Sequence, residues 1–464
     1  MPISGHTTLK GSPRRREDDD EPEDMRLGLA VIWAGEEPSR LGEVLFPTTG
    51  SVFGRATGDD EARIGFIRQR PDRNLKASPV ENPFLSRRHL SFETTLDAIE
   101  IQSLGHRPLR FADAEVTSAT VREGDIVEVT DLYAFLCVRR PAFLPVGGED
   151  LAPETFGDAD AQGVVGESAA AWSLRRQLSF IGKRNAHVLV TGPSGTGKEL
   201  VAQAIHRLSS RSKKEIVSRN AATFPSGLID AELFGNLANY PNVGMPERLG
   251  LIGQADGSTL FLDEIGELPS EMQAHLLRVL DGGEFQRLGD PRRRFADIRL
   301  VAATNRAPEE LKEDLAARLA LRVHVPGLDE RREDIALLAR HMLKKTAARD
   351  PEFRAQFCEN GEPRVSAELI RALTQHAFST HVRELDGLLM RAAGSSRGRE
   401  IELSKEARAI LKPVARPSQR ELGADEIRAA LARHGGVKDK AWRELGLASR
   451  HALHRLMKKL NIDD

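Results

Sequence analysis

Hydrophobic and polar positions follow three different patterns along the chain. Between residues 27 and 140, short runs of alternating apolar and polar residues are separated by Gly, Pro and Asp. Between about 163 and 411, apolar runs typical of buried strands alternate with segments of helical spacing, and from 423 the pattern is helical alone. A period of two predicts strands and a period of 3.6 predicts helices. The chain is therefore predicted to be multidomain, with an all-β sandwich, an α/β domain with a helical lid, and an all-α C-terminal domain.

Changes in composition set the predicted domain boundaries. The first 25 residues hold an Arg triplet and a run of acids with almost no apolar content, which predicts a disordered tail. A tail that touches DNA or a partner through the triplet is the alternative. The predicted segments are the tail (1–25), the β-sandwich (26–140), a linker rich in Pro and Gly (141–162), the α/β subdomain (163–345), its lid (346–411), a second linker (412–422) and the helical C-terminal domain (423–464).

Overall composition limits the function in three ways. The net charge of −2 over 464 residues gives no global signal for nucleic acid, so any such function must be local. The two cysteines, Cys137 and Cys358, lie far apart and show no metal-binding or disulfide pattern. No apolar run approaches the ~18 residues that a membrane span needs, and no signal peptide opens the chain, so we expect a cytoplasmic protein without a membrane partner.

A glycine-rich loop follows the predicted strand at residues 186–190 and opens a predicted helix. Its glycines allow several backbone N–H groups to surround a phosphate chain, while the helix directs its positive end to the same place. Lys198 supplies a cation for the β and γ phosphates of ATP, whereas a turn that binds nothing is the alternative. Glu199 stands where Ser or Thr usually holds Mg²⁺, so the metal must be held mainly from elsewhere. The candidate nucleotide-binding residues are Gly192, Pro193, Ser194, Gly195, Thr196, Gly197, Lys198 and Glu199.

Two adjacent carboxylates follow a second apolar run, residues 258–262. Asp263 is the candidate Mg²⁺ ligand, and Glu264 is the candidate base that orients and deprotonates the attacking water. An apolar run followed by Asp-Glu is common by itself. Its position about 65 residues after Lys198 makes ATP hydrolysis the favoured interpretation.

Five short strings between residues 163 and 411 resemble the AAA+ ATPase domain of bacterial enhancer-binding proteins, which activate sigma-54 RNA polymerase. The strings cover residues 165–168, 195–200, 232–235, 254–257 and 260–269. Glu after the loop lysine is usual in that family, which accounts for Glu199. The resemblance implies an AAA+ ATPase that uses ATP and Mg²⁺ and regulates transcription.

The same resemblance assigns further residues. Asn220 matches an asparagine that restrains the catalytic glutamate; the alternative is a turn residue at a strand end. Thr304 and Asn305 resemble sensor I, and Arg383 resembles the sensor II arginine of the lid. Arg318 matches an arginine that enters the active site of the neighbouring subunit. This match implies a ring, a homohexamer. An arginine supplied in this way raises the rate of hydrolysis by roughly 10³ to 10⁵.

Two stretches depart from the family. Lys312 stands where the family has a second arginine, and lysine lacks the planar guanidinium that pairs with carboxylates and phosphates in two places. The family's Gly-Ala-Phe-Thr-Gly-Ala loop, which grips sigma-54, is replaced by Asn-Tyr-Pro-Asn-Val-Gly at residues 239–244. Pro241 and Pro246 stiffen this loop. Tyr240 is a candidate substitute for the aromatic tip; a loop that has lost its partner is the alternative.

Within the β-rich part, Gly54-Arg55 and residues 85–90 resemble the two signatures of the forkhead-associated (FHA) domain, which binds phosphothreonine. A guanidinium and a hydroxyl presented from loops suit a phosphate dianion. The family's backbone-gripping Asn is missing at residues 103–106, which read Ser-Leu-Gly-His. The alternative to a phosphopeptide site is a fold kept only for docking. The candidate phosphopeptide residues are Arg55, Ser86, Arg87 and His89, with His89 holding the loops in place.

The C-terminal pattern predicts helices at residues 424–434, 438–445 and 449–460, separated by glycine turns. Seven basic residues against two acids between 438 and 460 make this segment locally basic. It resembles the Fis-type helix-turn-helix, which binds double-stranded DNA; a small bundle for self-association is the alternative. The candidate DNA contacts are Ser449, Arg450, His451, His454, Arg455 and Lys458.

Two functions follow from these features. The first is a bacterial DNA-binding transcriptional regulator that binds DNA upstream of promoters and hydrolyses ATP in a ring to remodel sigma-54 RNA polymerase, under the control of an FHA domain that senses a phosphothreonine-containing protein. The second is a regulator or scaffold of the same architecture whose nucleotide site gates assembly without contacting sigma-54. The replaced loop at residues 239–244 favours the second, and the ATPase strings favour the first.

Overall fold

The computed structural model describes residues 24–56, 61–71, 73–225, 227–240, 242–307, 310–413 and 424–434, together with single positions between 438 and 462. Residues 1–23 of the predicted tail lie outside the described residues. The first strand begins at Met25. The chain divides into two compact units. One runs to residue 409 without residues 375–377, and the other joins residues 375–377 to the chain from 410.

In the described residues of the N-terminal part of the first unit, the regular elements are strands and one short turn of 3₁₀ helix. Its strands are β1 (Met25–Ala34), β2 (Val44–Leu45), β3 (Val52–Phe53), β4 (Ile67–Arg70), β5 (Arg73–Lys76), β6 (Leu90–Thr94), β7 (Ile99–Ser103), β8 (Leu109–Phe111), β9 (Ala114–Val116), β10 (Ser118–Val121), β11 (Ile126–Val129) and β12 (Tyr133–Pro141). They form one sheet of order β5-β4-β2-β1-β12-β11-β8-β9 and a second of order β10-β7-β6-β3.

An aromatic cluster joins the two sheets face to face. Phe53 of β3 packs edge-on against Tyr133 and Phe135 of β12, with ring centroids 6.1 and 6.2 Å apart. Phe66 lies 5.1 Å from Phe53 and completes the cluster. Side chains on alternate positions of a strand point to one face, so the period-two pattern predicted this core. The prediction of a β-rich N-terminal region is therefore confirmed.

The segment predicted as a linker, residues 141–162, is packed against the folded domains. Leu151 and Phe156 are buried. Asp160 is fully buried and accepts a hydrogen bond from the guanidinium of Arg175 at 2.9 Å. The segment thus belongs to the folded unit.

A parallel sheet of order β14-β15-β18-β13-β19 forms the centre of the α/β part. The three central strands, β15, β18 and β13, are largely apolar and buried, as expected of a sheet covered by helices on both faces, whereas the edge strands β14 and β19 are polar and partly exposed. The elements are α1 (Ala169–Gly182), β13 (Val188–Thr191), α2 (Lys198–Arg207), β14 (Val217–Asn220), α3 (Ile229–Phe234), α4 (Gly250–Gln254), β15 (Thr259–Asp263), α5 (Ser270–Gly282), the hairpin strands β16 (Glu284–Phe285) and β17 (Arg294–Phe295), β18 (Arg299–Thr304), α6 (Glu313–Arg318) and β19 (Leu321–His324).

A mainly helical lid follows the sheet. It contains α7 (Ile335–Arg349), α8 (Pro351–Phe357), β20 (Cys358–Glu359), β21 (Glu362–Pro363), α9 (Ala367–Thr374), α10 (His381–Ser395) and α11 (Lys405–Ile410). Helix α7 continues across residues 345 and 346, where the sequence predicted the boundary. The boundary between the α/β part and the lid therefore lies before Ile335.

The second unit has its own apolar core. Helix α12 (Ala424–Arg433) matches the helix predicted from residue 424. Its buried side chains Ile427 and Ala430 pack with other apolar residues, which are Ala441, Leu453 and Met457. Most of the predicted linker 412–422 lies outside the described residues. Within the described residues, the helices are all too short or too polar to cross a membrane.

Candidate nucleotide-binding site

The carboxyl edge of the parallel sheet brings together residues from four strands. Asn220 at the end of β14 pairs in register with Asp263 at the end of β15. Thr191 at the end of β13 pairs with Thr304 at the end of β18. Ligands of open α/β sheets bind in the crevice at this edge, because parallel strands all end there. Three of the predicted site segments thus meet at one place.

Three glycines shape the loop between β13 and α2. Gly192, Gly195 and Gly197 have φ angles of 149°, 77° and 101°, a range that other residues rarely adopt. Helix α2 begins at Lys198, directly after Gly197, so the unpaired N–H groups of its first turn face the loop. This curved backbone is the arrangement that binds a chain of phosphates.

Lys198 occupies the inside of this curve. Its Nζ donates to the carbonyl oxygens of Gly192 at 3.0 Å and Pro193 at 3.3 Å, and lies 3.8 Å from Glu264. The side chain is 7 % exposed, so its charge acts in a largely dry environment. The ammonium group of Lys198 therefore lies where it can bind a phosphate held by the loop. The loop and this lysine together fit a nucleoside triphosphate.

The two carboxylates at the end of β15 have different partners. Asp263 accepts hydrogen bonds from the side-chain amide of Asn220 at 3.2 Å and from the backbone N–H of Glu264 at 3.1 Å. Glu264 has a left-handed φ of 51° and accepts from the backbone N–H of Asn305 at 3.3 Å. The family resemblance implied that Asn220 restrains Glu264. In the structure Asn220 holds Asp263 instead, since the two end neighbouring strands in register.

Thr304 and Asn305, the candidate sensor I residues, lie at the end of β18 and have different partners. Thr304 is fully buried, and its hydroxyl accepts a hydrogen bond from the backbone N–H of Arg306 at 3.0 Å. This bond fixes the turn after β18. Asn305 lies within this turn and is exposed, and its backbone N–H donates to Glu264. The sequence placed both residues correctly at the strand end.

The lid contacts the phosphate loop directly. The N–H of Val382, in the first turn of α10, donates to the carbonyl oxygen of Gly195 at 3.1 Å. A Cβ at Gly195 would collide with the carbonyl oxygen of Thr380 and would lie 3.2 Å from the Cβ of Arg383. Arg383 is exposed beside the loop, which is the place predicted for a lid arginine that senses nucleotide.

Arg318 has a partner outside the phosphate loop. It ends α6 and forms an ion pair with Asp281 at the end of α5. The bond from Arg318 lowers the pKa of Asp281. The Arg318 side chain is 51 % exposed, so it is accessible to a second molecule. Lys312 is the N-cap residue directly before α6, and its N–H donates to the side chain of Gln273 at 3.2 Å.

The remaining loop residues support the backbone. The hydroxyl of Thr196 donates to the carbonyl oxygen of Pro193 at 3.0 Å, and Ser194 is half-buried. Glu199 is exposed and accepts a hydrogen bond from Gln203 at 3.4 Å. Glu199 thus faces solvent on α2, consistent with a metal held mainly by Asp263.

Asp334 is a site-supporting residue that the sequence did not reveal. Its Oδ1 accepts from the backbone N–H groups of Glu167 at 2.8 Å and Ser168 at 3.0 Å, and its Oδ2 accepts from the Ser168 hydroxyl at 2.5 Å. Ser168 in turn caps α1. The contact joins the start of the α/β part to the start of the lid. Its only sequence signal was a serine at a helix N-cap, because the partner lies 166 residues away.

The loop that replaces the family's sigma-54 loop is closed by two asparagines. Asn236 is fully buried, and its amide donates to the carbonyl oxygens of Leu237 and Pro246, both at 2.9 Å. Asn239 has a left-handed φ of 62°, and its side chain accepts from the N–H of Gly244 at 2.9 Å. The loop is thus a compact turn.

The exposed tip of this loop is Val243 rather than Tyr240. Tyr240 packs over Gly289 in the hairpin between β16 and β17, where a Cβ would lie 2.7 Å from the Tyr240 Cγ. Tyr240 is 44 % exposed, whereas Val243 is 96 % exposed. Pro241 lies outside the described residues. Tyr240 thus packs on the hairpin while it stays partly exposed, and its role as a substitute for the aromatic tip stays a prediction.

The candidate phosphopeptide residues lie together on the β-sandwich. The N–H of Arg55 donates to the carbonyl oxygen of Ser86 at 2.9 Å, and the N–H of Ser86 donates to Nδ1 of His89 at 3.2 Å. Burial lowers the pKa of His89, which suits a neutral ring that accepts this bond. Arg87 is exposed. Within the described residues, the buried Nε of Arg55 has no hydrogen-bond partner, so it fits an added anion.

Five of the six candidate DNA contacts, Ser449, Arg450, His451, Arg455 and Lys458, lie outside the described residues. His454 is described, and it is exposed on a helical segment. Of the candidate DNA contacts, the structure therefore describes the environment of His454 alone, and the DNA interface stays a prediction.

Two protein families match the ATPase part of the chain. The family described as Sigma-54 interaction domain matches residues 164–327, and the AAA+ ATPase lid domain matches residues 329–421. The first match contains the phosphate loop, both carboxylates and Arg318. The second contains Arg383.

Curated relatives cover the same region. The chain is 36 % identical over 323 residues to the formate hydrogenlyase transcriptional activator FhlA of Escherichia coli K12, which covers 66 % of this chain and 45 % of that protein. It is 40 % identical over 245 residues to the DNA-binding transcriptional regulator NtrC of Escherichia coli K12, covering 51 % and 50 %. It is 37 % identical over 318 residues to the Nif-specific regulatory protein of Azotobacter vinelandii, covering 64 % and 59 %. The chain spans about half the length of these relatives.

Proposed function

We propose that this chain, whose residues 164–327 match the Sigma-54 interaction domain and whose residues 329–421 match the AAA+ ATPase lid domain, is a bacterial DNA-binding transcriptional regulator that remodels sigma-54 RNA polymerase. The observation that carries the proposal is the meeting of Lys198, Asp263 and Glu264 at the carboxyl edge of one parallel sheet, within a domain of that family. Relatives named as transcriptional activators and regulators support the biological role.

The chemistry follows from the positions of these groups. The loop N–H groups and Lys198 bind the phosphates of ATP, and Asp263 holds Mg²⁺ with Asn220 orienting its carboxylate. Glu264 deprotonates the attacking water. Bound Mg²⁺ neutralises charge on the phosphate oxygens. Arg383 on the lid reaches the same phosphates.

Arg318 completes the site of a neighbouring protomer. Its pairing with Asp281 holds it on the surface of its own subunit, and a cation supplied in trans makes hydrolysis depend on assembly. The functional form is therefore a ring, with six protomers as the family resemblance implies. Lys312 replaces the family's second arginine and leaves Arg318 as the planar cation at this seam.

A second function is favoured by the loop at residues 239–244. Its Tyr240 packs on Gly289, and its sequence lacks the aromatic and threonine that the family uses on sigma-54. In this alternative the nucleotide site gates assembly of a DNA-bound regulator or scaffold that does not contact sigma-54.

The parts of the chain on either side of the ATPase bind the signalling partner and the DNA. The β-sandwich binds a phosphothreonine-containing protein through Arg55 and Ser86, with His89 holding the loops in place and Arg87 beside them. The C-terminal unit binds double-stranded DNA upstream of promoters through its last predicted helix. Support comes from the buried and unpaired Nε of Arg55 within the described residues, and from the local excess of basic residues after 438.

The two functions are separated by transcription in vitro at a sigma-54 promoter that carries DNA sites mapped for this protein. With ATP, the wild-type chain is expected to form open complexes, and the Glu264→Gln variant is expected to bind the DNA without forming them. Hydrolysis of ATP without open complexes at any protein concentration refutes remodelling and leaves the assembly switch. Absence of hydrolysis refutes the catalytic assignment.

A further inference from the structure

The first turn of helix α10 is bonded to the core at two points beside the phosphate loop. The N–H of Val382 donates to the carbonyl oxygen of Gly195 at 3.1 Å. His381, the first residue of the helix, is 7 % exposed, and its Nδ1 accepts from the N–H of Leu328 at 3.1 Å. Arg383 lies in the same turn. These two bonds together set the direction in which the turn presents Arg383.

The segment that His381 contacts is itself fixed to the phosphate loop. This segment, residues 325–328, follows β19 directly. The N–H of Val325 donates to the carbonyl oxygen of Thr191 at 2.8 Å, and a Cβ at Gly192 would lie 2.5 Å from the carbonyl oxygen of Val325. His381 therefore joins the lid to a part of the core that is packed on the start of the loop.

The backbone of His381 has a conformation that depends on its surroundings. Its φ of 41° lies in the left-handed region, where Asn, Asp and His are the commonest residues besides glycine. Such a conformation persists where neighbouring contacts determine it. A Cβ at Gly327 would lie 2.7 Å from Cε1 of His381 and 3.1 Å from its Nδ1. The glycine thus leaves the space that the imidazole occupies.

The bond from Leu328 determines what the imidazole does. An Nδ1 that accepts a hydrogen bond carries no proton, so the ring proton lies on Nε2 and the ring is neutral. Asp329 lies 3.6 Å from Nδ1, but its side chain is 64 % exposed, so solvent screens their interaction. Removal of the ring would leave the Leu328 N–H without its acceptor in a buried place, which is costly. The backbone of the core, rather than a charge, therefore holds His381.

We propose that His381 is a positioning residue for ATP: by bonding the first turn of α10 to Leu328, it places Arg383 at the phosphates that the loop binds. This inference rests on the proposed role of Arg383 and deepens it, because it names the side chain that sets the position of that arginine. Without the imidazole, the turn pivots about the bond between Val382 and Gly195, and Arg383 moves away from the phosphates.

The test measures the Kd of the full-length protein for a fluorescent ATP analogue. His381→Ala is expected to raise this Kd about fivefold to tenfold, the effect of losing one buried hydrogen bond. His381→Asn is expected to bind within about twofold of wild type, because Asn adopts a left-handed φ and its side-chain oxygen accepts from the Leu328 N–H. The matched control is His341→Ala, a half-buried histidine of α7 whose charged neighbours are Asp158 and two lysines, and it is expected to leave the Kd unchanged.

Two combinations separate positioning from general damage to the lid. If His381 acts through Arg383, then adding His381→Ala to Arg383→Ala is expected to raise the Kd by less than about twofold further. Gly327→Ala displaces the ring from the core side and is expected to raise the Kd about threefold or more. In the His381→Ala background it is expected to have no further effect, since its Cβ then meets no ring. Circular dichroism checks that each variant is folded, and Gly327→Ala serves as the test where His381→Ala does not fold.

Three results overturn the positioning role. They are an unchanged Kd in both His381→Ala and Gly327→Ala, a Kd of His381→Asn as high as that of His381→Ala, and additive effects of His381→Ala and Arg383→Ala. Wild-type affinity in Arg383→Ala removes the proposed phosphate contact of Arg383, and the positioning role with it. Failure of the wild-type protein to bind the nucleotide would instead contradict the proposed ATPase site as a whole.

Discussion

The side-chain amide of Asn220 donates a hydrogen bond to Asp263, at 3.2 Å, in the pair of carboxylates that ends β15. Glu264, the second carboxylate, is held instead by the backbone N–H of Asn305 and lies 3.8 Å from Lys198. Asn220 thus orients the proposed metal ligand, Asp263, while the proposed base, Glu264, is positioned by the residue that follows β18. The two carboxylates are positioned by different strands. We therefore expect that a substitution which removes the support of one carboxylate impairs the role of that carboxylate alone.

Glu264→Gln is expected to abolish hydrolysis and to retain ATP. The amide keeps the shape of the carboxylate but accepts no proton, which lowers kcat by roughly 10² to 10⁴. ATP affinity, measured with a fluorescent nucleotide, is expected to stay within about twofold of wild type. The matched control is Glu267→Gln, an exposed carboxylate of the same turn that pairs with Arg306. Turnover that persists in Glu264→Gln would show that another group is the base.

Asn220→Ala is expected to raise the Mg²⁺ concentration needed for half-maximal hydrolysis by about threefold to tenfold, because Asp263 loses the amide that orients it. Saturating Mg²⁺ is expected to restore most of kcat. The measurement is ATPase activity across a Mg²⁺ titration. A kcat that stays low at every Mg²⁺ concentration, with unchanged Mg²⁺ dependence, would indicate that Asn220 acts on Glu264 instead.

Arg318→Ala is expected to lower kcat by about 10³-fold while ATP binding persists, because the cation acts on the neighbouring protomer's phosphates. Asp281→Asn, which frees Arg318 from its partner, serves as the control and is expected to keep activity. Mixing Arg318→Ala with Glu264→Gln protein is expected to recover part of the activity. In mixed rings, some seams combine an intact Glu264 with an intact Arg318. No recovery at any mixing ratio would place Arg318 in its own subunit's site.

Gly54→Ala is expected to weaken phosphothreonine binding strongly. A Cβ at Gly54 would lie 2.6 Å from the carbonyl oxygen of Ser86 and closer still to that of Arg87, so the two phosphate-binding segments must separate. Gly65→Ala is the matched control, since a Cβ there meets no atom within 4 Å. Binding is measured on a degenerate phosphothreonine peptide library with its unphosphorylated twin. We expect a loss of about tenfold or more; equal binding by both glycine variants would contradict the site.

Val243→Asp is expected to stop open-complex formation at a sigma-54 promoter and to leave ATPase activity unchanged. Val243 is the exposed apex of the loop, and a carboxylate there would have to be desolvated against any apolar partner surface. Tyr240→Phe keeps the ring that packs on Gly289 and is expected to behave like wild type in both assays. Open complexes at the wild-type rate in Val243→Asp would move the polymerase contact to another part of the ring.

Local sequence was sufficient to identify several parts of the site. The glycine spacing around Lys198 gave the phosphate loop, and an apolar run before Asp263 and Glu264 gave the strand that presents them. Period-two alternation gave the β-rich N-terminal part. These predictions succeed because strand and helix periodicity and left-handed glycine turns are decided by residues within one or two turns of each other.

Tertiary structure alone decided which side chains meet. Asn220 faces Asp263 because β14 and β15 are neighbours in register. The ring of Tyr240 packs on the hairpin because Gly289 has no side chain to prevent it. Arg70 contacts Glu167, which lies 97 residues away in the sequence. Each of these contacts depends on how separate elements pack, and the sequence around either partner looks the same whether or not the other is near. Hence the sequence by itself determined the chemical groups of the ATPase site, while packing determined which partners hold them and placed the β-sandwich against the ATPase part.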